Sequence, residues 1–148
     1  ISLPGERIGY LAIHPNCADA DKIIEICPQI SRTIGQNGAA SLMQRTVADV
    51  CSYTSDLSVY ETNKKILFEA LQDYGYHCVE PGGTFYMFPR SLESDSQAFC
   101  KKAMEKDLML VPGDIFGCPG HFRIAYCVPT KRVEKALPIF KKLAEEYR

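Results

Sequence analysis

Arg123 is the side chain of this sequence best suited to bind an anion. From residue 122 to residue 128, large apolar side chains alternate with other types, which is the period of a strand with one face toward a core. Arg123 projects from the opposite face, where only the small side chains of Ala125 and Cys127 flank it. A guanidinium with open space above it offers a planar, two-pronged donor to a carboxylate. The alternative interpretations are a solvated surface arginine and a structural ion pair.

A second arginine lies near the start of the chain. Pro4 and Gly5 predict a turn that begins at Ser2 and places Arg7 at the mouth of a short buried strand, which continues to Ile13. Two arginines, each delivered to a strand by a turn, favour an anion-binding function for Arg123 over a solvated one.

Three motifs carry a resemblance to a known family. They are Leu-Pro-Gly-Glu-Arg-Ile-Gly-Tyr at residues 3–10, Pro-Gly-Gly-Thr-Phe-Tyr-Met-Phe at residues 81–88, and the turn-rich loop at residues 113–121 before Arg123. In type and order they resemble the class I/II pyridoxal-phosphate-dependent aminotransferases, the aspartate aminotransferase-like enzymes of fold type I. The resemblance spans essentially the whole chain. It implies pyridoxal 5'-phosphate as cofactor, amino-group transfer from an L-amino acid to a 2-oxo acid, and a homodimer.

The resemblance also implies roles for the two arginines. Arg7 matches the arginine that binds the cofactor phosphate, and Arg123 matches the one that clamps the substrate α-carboxylate. The family's Schiff-base lysine precedes the phosphate-binding arginine by a fixed short distance, so its counterpart would lie ahead of Ile1. Lys22, the first lysine here, comes too late in the chain to replace it. We therefore expect the C-terminal portion of such an enzyme, with no catalytic residue of its own, inactive alone and not retaining the cofactor.

Other function classes remain open at this point. One is a different pyridoxal-phosphate reaction on the same scaffold, of the β-lyase, decarboxylase or aminocyclopropane-carboxylate synthase type. Each of these also holds an amino acid carboxylate with an arginine, so Arg123 does not distinguish them. The other is a non-catalytic binding module that keeps the fold without the chemistry, because function resides in the site. The sequence does not choose among amino acid substrates.

Composition excludes several partners. The formal net charge of -1 gives no basic excess for nucleic acid, and no apolar run is long enough for a membrane span. Seven dispersed cysteines without a CxxC pair suit a reducing compartment, so we expect a cytoplasmic protein. His14 and Cys17, and Cys118 and His121, have a metal-like spacing, but neither pair has the four ligands of a zinc site, and no metal is expected.

Periodicity predicts the elements that must position these residues. Helices are predicted over residues 21–34, with a kink or reset near Cys27 caused by Pro28, over about 39–55, and over about 57–74 before Gly75. The second helix is expected to bury apolar side chains, and the residues before about Ser58 are expected to leave an apolar surface exposed. These apolar side chains of the second helix are Met43, Val47, Val50 and Cys51.

The second half of the chain predicts short strands at 76–79, 84–88, 108–111 and 122–128. A capping box at residues 94–97 opens a helix to Met104, and a final amphipathic helix starts at Thr130. The result is an α+β fold, an α/β sandwich with helices on a small, mainly antiparallel sheet. Residues 1–57 are the expected remnant of a large cofactor-binding domain with its connecting helix, and residues 58–148 the expected small domain.

Four further side chains lie near the motifs. Tyr10 could reach the cofactor, but an aromatic residue that enters a strand is expected in the core. Thr84 and Tyr86 could line the substrate entrance, but we expect them in sheet packing. His121 is close to Arg123 and could tune it or contact the substrate, and no role is assigned to it.

Overall fold

The computed structural model describes residues 4–148. The described residues up to Ser55 form one compact unit, and Asp56–Arg148 form a second. Residues 1–3, which include the predicted start of the N-terminal turn and of the first domain, lie outside the described residues.

The first unit is helical. It contains a short 3-10 turn at Pro4–Glu6, helix α1 at Ala20–Thr33 and helix α2 at Ser41–Val50. The strand predicted up to Ile13 is wrong, because no strand forms between the 3-10 turn and α1 and most of these residues are exposed. A strand needs a neighbour for its backbone hydrogen bonds, and the described residues of this unit offer none.

The helices of this unit differ from the predicted ones in detail. Of the kink or reset predicted near Cys27, the reset does not occur, because helix α1 continues through Pro28. Helix α2 is shorter than predicted at both ends. No residue of α1 or α2 is buried, and Cys51 is exposed, because two short helices cannot enclose a core of their own. The expected exposed apolar surface is confirmed, with Leu11, Ile24, Ile30, Ile34 and Leu42 all exposed.

The second unit is the α+β domain that the sequence predicts. Helix α3 spans Ser58–Tyr74 and ends at Gly75, whose φ of 95° lies in the left-handed region favoured by glycine. Strand β1 (Tyr86–Met87), helix α4 (Ser96–Met104), strand β2 (Val111–Pro112), strand β3 (Phe122–Ala125) and helix α5 (Thr130–Glu145) follow. The sheet has the order β1-β3-β2, and both pairs are antiparallel.

A single apolar core holds this unit together. Tyr76 lies at its centre and makes edge-on contacts with the rings of Phe99, Phe122 and Phe140. Its hydroxyl donates to the Phe140 carbonyl at 3.0 Å, and burial raises the pKa of the Tyr76 phenol well above its usual range. Side chains from α3, α4, α5, β1 and β3 all enter this core, which fixes β3 and therefore Arg123.

Three local predictions in this unit are wrong. Residues 76–79 form no strand; their only backbone pairing across the turn is the bond from the Arg90 amide to the His77 carbonyl at 2.8 Å. Helix α4 is capped by Asp95, whose carboxylate accepts from the Gln97 and Ala98 amides, rather than by Ser94. Of the strand predicted at 108–111, only Val111 lies in a strand; this strand, β2, includes Pro112 instead of stopping before it, which an edge strand tolerates.

Within residues 4–148, no helix combines the length and the apolar character needed to cross a bilayer.

Candidate functional site

Arg123 lies on a strand, as the sequence predicts, and this strand is the central one of the sheet. Phe122 and Ile124 of β3 are buried, as is Tyr126, which follows the strand. Arg123 is half-buried and Ala125 is exposed. Val111 of β2 is the register partner of Arg123. The guanidinium therefore leaves the sheet on the face away from the core, held at its base by strands on both sides.

The space above Arg123 is occupied by aromatic rings, and the sequence prediction of open space there is wrong. The guanidinium carbon lies 4.3 Å from the ring centroid of Tyr86 and 4.5 Å from that of Phe116. Both distances fall within the range of cation–π contacts. Among the described residues, no carboxylate pairs with Arg123 and no carbonyl accepts from its guanidinium. Within that part of the chain, the two rings hold the charge of Arg123 in place and no carboxylate neutralises it.

Further rings extend this outer face of the sheet. Phe88 contacts Phe116 edge-on at 6.0 Å and stacks on His121 at 6.0 Å between centroids. His121 Nδ1 lies 3.1 Å from the Pro119 carbonyl oxygen and 3.4 Å from the Cys118 sulfur. His121 therefore supports the loop that precedes Arg123 rather than touching the guanidinium itself.

The loop between β2 and β3 carries Phe116. It begins with a 3-10 turn at Gly113–Phe116, and the Gly113 amide donates to the His121 carbonyl at 2.7 Å. The Ser96 hydroxyl at the start of α4 donates to the Asp114 carboxylate, which ties the loop to the core of the unit. Gly117 ends the turn with a φ of 69°.

Arg7 lies in the first unit, and Arg123 lies in the second. It follows the first 3-10 turn with a φ of 50°, and its Nη1 donates to the Pro4 carbonyl at 3.1 Å. The side chain is exposed, and no carboxylate among the described residues pairs with it.

The structure also places other residues that the sequence analysis singled out. Tyr10 is 93% exposed, so its predicted place in a core is wrong. Cys118 and His121 do come together, but no group of three or more potential metal ligands exists within residues 4–148. Tyr86 packs in the sheet as expected, and it also contacts Arg123.

Sequence reasoning missed Phe116 as a partner of Arg123. The signal that could have indicated it is the turn-rich loop itself, since a glycine on each side of Phe116 allows the chain to fold back over the strand.

Comparison with known proteins identifies the family of this chain. The family model described as aminotransferase class I and II matches residues 1–140 of the chain. Aspartate aminotransferase of Thermotoga maritima is 29% identical over 138 residues, which are 92% of this chain and 35% of that protein. Tyrosine aminotransferase of Caenorhabditis elegans is 28% identical over 150 residues, 90% of this chain and 31% of that protein.

A solved structure of an amino transferase is also similar to this chain. The crystal structure of an amino transferase from Eubacterium rectale superposes with a TM-score of 0.91 at 41% identity, covering 99% of this chain and 37% of that one. The chain thus spans about a third of the length of these relatives. On the family match and these likenesses, the chain belongs to the class I and II aminotransferases.

Proposed function

We propose that this chain is the C-terminal part of a pyridoxal-phosphate-dependent aminotransferase that moves an amino group from an L-amino acid to a 2-oxo acid. The observation that carries the proposal is the guanidinium of Arg123 on the outer face of the sheet, which two rings contact and which no carboxylate within residues 4–148 pairs with. Membership of the family and relatives named as aminotransferases support amino transfer over the other pyridoxal-phosphate reactions. Those relatives are named for aspartate and for tyrosine, so the proposal covers L-amino acids as a class.

Arg123 would bind the α-carboxylate of both substrates. A guanidinium can donate two parallel N–H bonds to a carboxylate, which fixes the distance and the orientation of the bound acid. A charge-assisted pair of this kind contributes about 1.5–3 kcal/mol. Because the amino acid and the 2-oxo acid carry the same carboxylate, one arginine can orient both half-reactions.

Arg7 would hold the cofactor phosphate. The donor chemistry fits, since its guanidinium is exposed and permanently charged, and within residues 4–148 its hydrogen-bond acceptor is the nearby Pro4 carbonyl. When bound, pyridoxal 5'-phosphate supplies the electron sink that the amino acid α-carbon needs. Arg7 and Arg123 would contribute binding and orientation, and the covalent attachment of the cofactor would come from a lysine outside this sequence.

We infer a homodimer that works in the cytoplasm, with residues 1–57 as part of the large domain and residues 58–148 as the small domain. The 148-residue chain alone would neither retain the cofactor nor transfer amino groups.

The test uses the longer protein that carries this chain. Amino transfer is measured for a panel of L-amino acids, with wild type compared with Arg123→Ala and with Arg132→Ala, an exposed arginine of α5. Arg123→Ala is expected to raise KM for amino acid and 2-oxo acid alike, and Arg132→Ala to change neither. Unchanged kcat/KM for both substrates in Arg123→Ala would overturn the role of Arg123.

A second measurement addresses the cofactor. Arg7→Ala is expected to speed dissociation of pyridoxal 5'-phosphate, followed by its absorbance after dilution into a cofactor scavenger. Arg45→Ala on the exposed side of α2 is the matched control. Equal dissociation rates in the two variants would rule out the assignment of Arg7.

A further inference from the structure

We infer that Tyr86 and Phe116 are positioning residues for Arg123: their rings hold the guanidinium in the orientation in which it binds a carboxylate. This inference rests on the proposed function and deepens it. Neither residue is assigned a role by the family resemblance set out above. The starting observation is that one guanidinium carbon lies within 4.5 Å of the centroids of both rings.

The contact with Tyr86 is built into the sheet. Tyr86 pairs with Ala125 in the β1–β3 register, so its side chain emerges on the same face as Arg123 and diagonal to it. The residues before it are tied to the same strand exit, because the Tyr126 amide donates to the Phe85 carbonyl at 3.0 Å and the Tyr126 hydroxyl to the Thr84 carbonyl at 2.8 Å. A slip of β1 would remove the ring from the guanidinium.

The contact with Phe116 comes from a loop that is fixed at several points. The Gly113 amide bonds to the His121 carbonyl, the Cys118 amide bonds back to the Gly113 carbonyl at 3.0 Å, and the Asp114 carboxylate accepts from Ser96. Phe116 is nevertheless 46% exposed, so apolar burial alone does not account for its position. Its ring contacts are with Arg123 and Phe88.

The two rings restrict the Arg123 side chain before a ligand binds. An unrestrained arginine side chain loses much rotamer freedom when it binds a ligand, and this loss opposes binding. Ring faces attract the cation and restrict it before the ligand arrives, while they leave its N–H groups without acceptors. They neither form nor break a bond in the reaction, so they should strengthen ground-state and transition-state binding equally.

Kinetics separate this role from a structural one. An interaction that strengthens ground-state and transition-state binding equally lowers KM and does not change kcat. We expect Tyr86→Leu and Phe116→Leu, in the longer protein, each to raise KM for amino acid and 2-oxo acid about 3- to 10-fold at nearly constant kcat. Tyr86→Phe and Phe116→Tyr, which keep a ring, are expected to stay within about 2-fold of wild type. Cofactor dissociation should not change in any of the four.

The outcomes distinguish this inference from the function on which it rests. If Arg123→Ala raises KM but neither leucine variant does, the positioning role is overturned and the carboxylate role stands. If Arg123→Ala leaves KM unchanged, the proposed function itself fails. Loss of kcat or of cofactor in the leucine variants would show a structural role and also overturn the inference. Phe116 is half exposed, so Phe116→Leu decides the question even if Tyr86→Leu does not fold.

Discussion

The hydroxyl of Tyr126 donates to the carbonyl of Thr84 at 2.8 Å, and Thr84 has a backbone φ of 69°. A β-branched residue in the left-handed region is strained, since its Cβ crowds the backbone. Thr84 stands two residues before Tyr86, whose ring contacts Arg123. The Tyr126 hydroxyl thus holds a strained turn that sets the start of β1.

Replacing Thr84 by glycine should stabilise the chain. Relief of the left-handed strain should add about 1–2 kcal/mol to the free energy of unfolding. The greater conformational freedom of glycine in the unfolded chain should lower it by about 0.5–1 kcal/mol. We expect Thr84→Gly to increase the free energy of unfolding by about 0.5–1 kcal/mol, and Tyr126→Phe to lower it by about 1 kcal/mol. Urea unfolding followed by circular dichroism measures both. A destabilised Thr84→Gly variant would contradict the strain.

Gly113 should tolerate no side chain. A Cβ there would lie 2.7 Å from the His121 carbonyl oxygen and closer still to that of Cys118, and both are backbone atoms that cannot swing aside. We expect Gly113→Ala to cost about 2–4 kcal/mol in the free energy of unfolding, because the loop must open.

Gly82→Ala is the control for Gly113→Ala. A Cβ at Gly82 would meet no atom within 4 Å, so this variant should stay within about 0.5 kcal/mol of wild type in the same urea titration. Equal stability of the two variants would show that the loop at Gly113 accommodates a Cβ atom without loss of stability.

The sequence predicts this molecule best where local pattern decides the structure. The final helix begins at Thr130 as expected, and the alternation around Arg123 gives the correct face, because both follow from the period of the backbone. Strand lengths are predicted poorly, since a strand ends where its neighbour ends and the neighbours here are two residues long. The ring contacts of Arg123 come from distant segments, and no local period encodes them.

Asn63 should be among the polar residues most important for stability. Its buried side-chain amide donates to the carbonyls of Tyr126 at 2.9 Å and Val128 at 2.7 Å, which joins α3 to the end of β3. Asn63→Ala would leave two carbonyls without a donor, so we expect a loss of about 2–4 kcal/mol. Thr62→Ala, at the exposed neighbouring position, is expected to have an effect below about 0.5 kcal/mol.

The same unfolding measurement tests Asn63. A value for Asn63→Ala close to that of Thr62→Ala would mean that water replaces the amide at both carbonyls. The predicted role of Asn63 in joining α3 to β3 would then be wrong.

Glu93 should give the chain an acid-sensitive contribution to stability. The Tyr147 hydroxyl donates to Glu93 Oε1 at 2.5 Å and Lys102 Nζ lies 3.0 Å from the same oxygen. The hydrogen bond from Tyr147, followed by the interaction with Lys102, lowers the pKa of the Glu93 carboxyl. A carboxyl with a lowered pKa in the folded state stabilises the fold above its unfolded pKa, and this stabilisation is lost as the pH falls through the folded value.

We therefore expect the thermal midpoint of Glu93→Gln to lie about 2–4 °C below that of wild type at pH 7. The two midpoints should converge as the pH falls through the lowered pKa of the folded Glu93 carboxyl, because the wild-type carboxylate then takes up its proton. Glu134→Gln, an exposed change on α5 that removes the same charge, should follow wild type throughout. If the gap between Glu93→Gln and wild type stays constant with pH, the carboxylate charge is not what Tyr147 and Lys102 recognise.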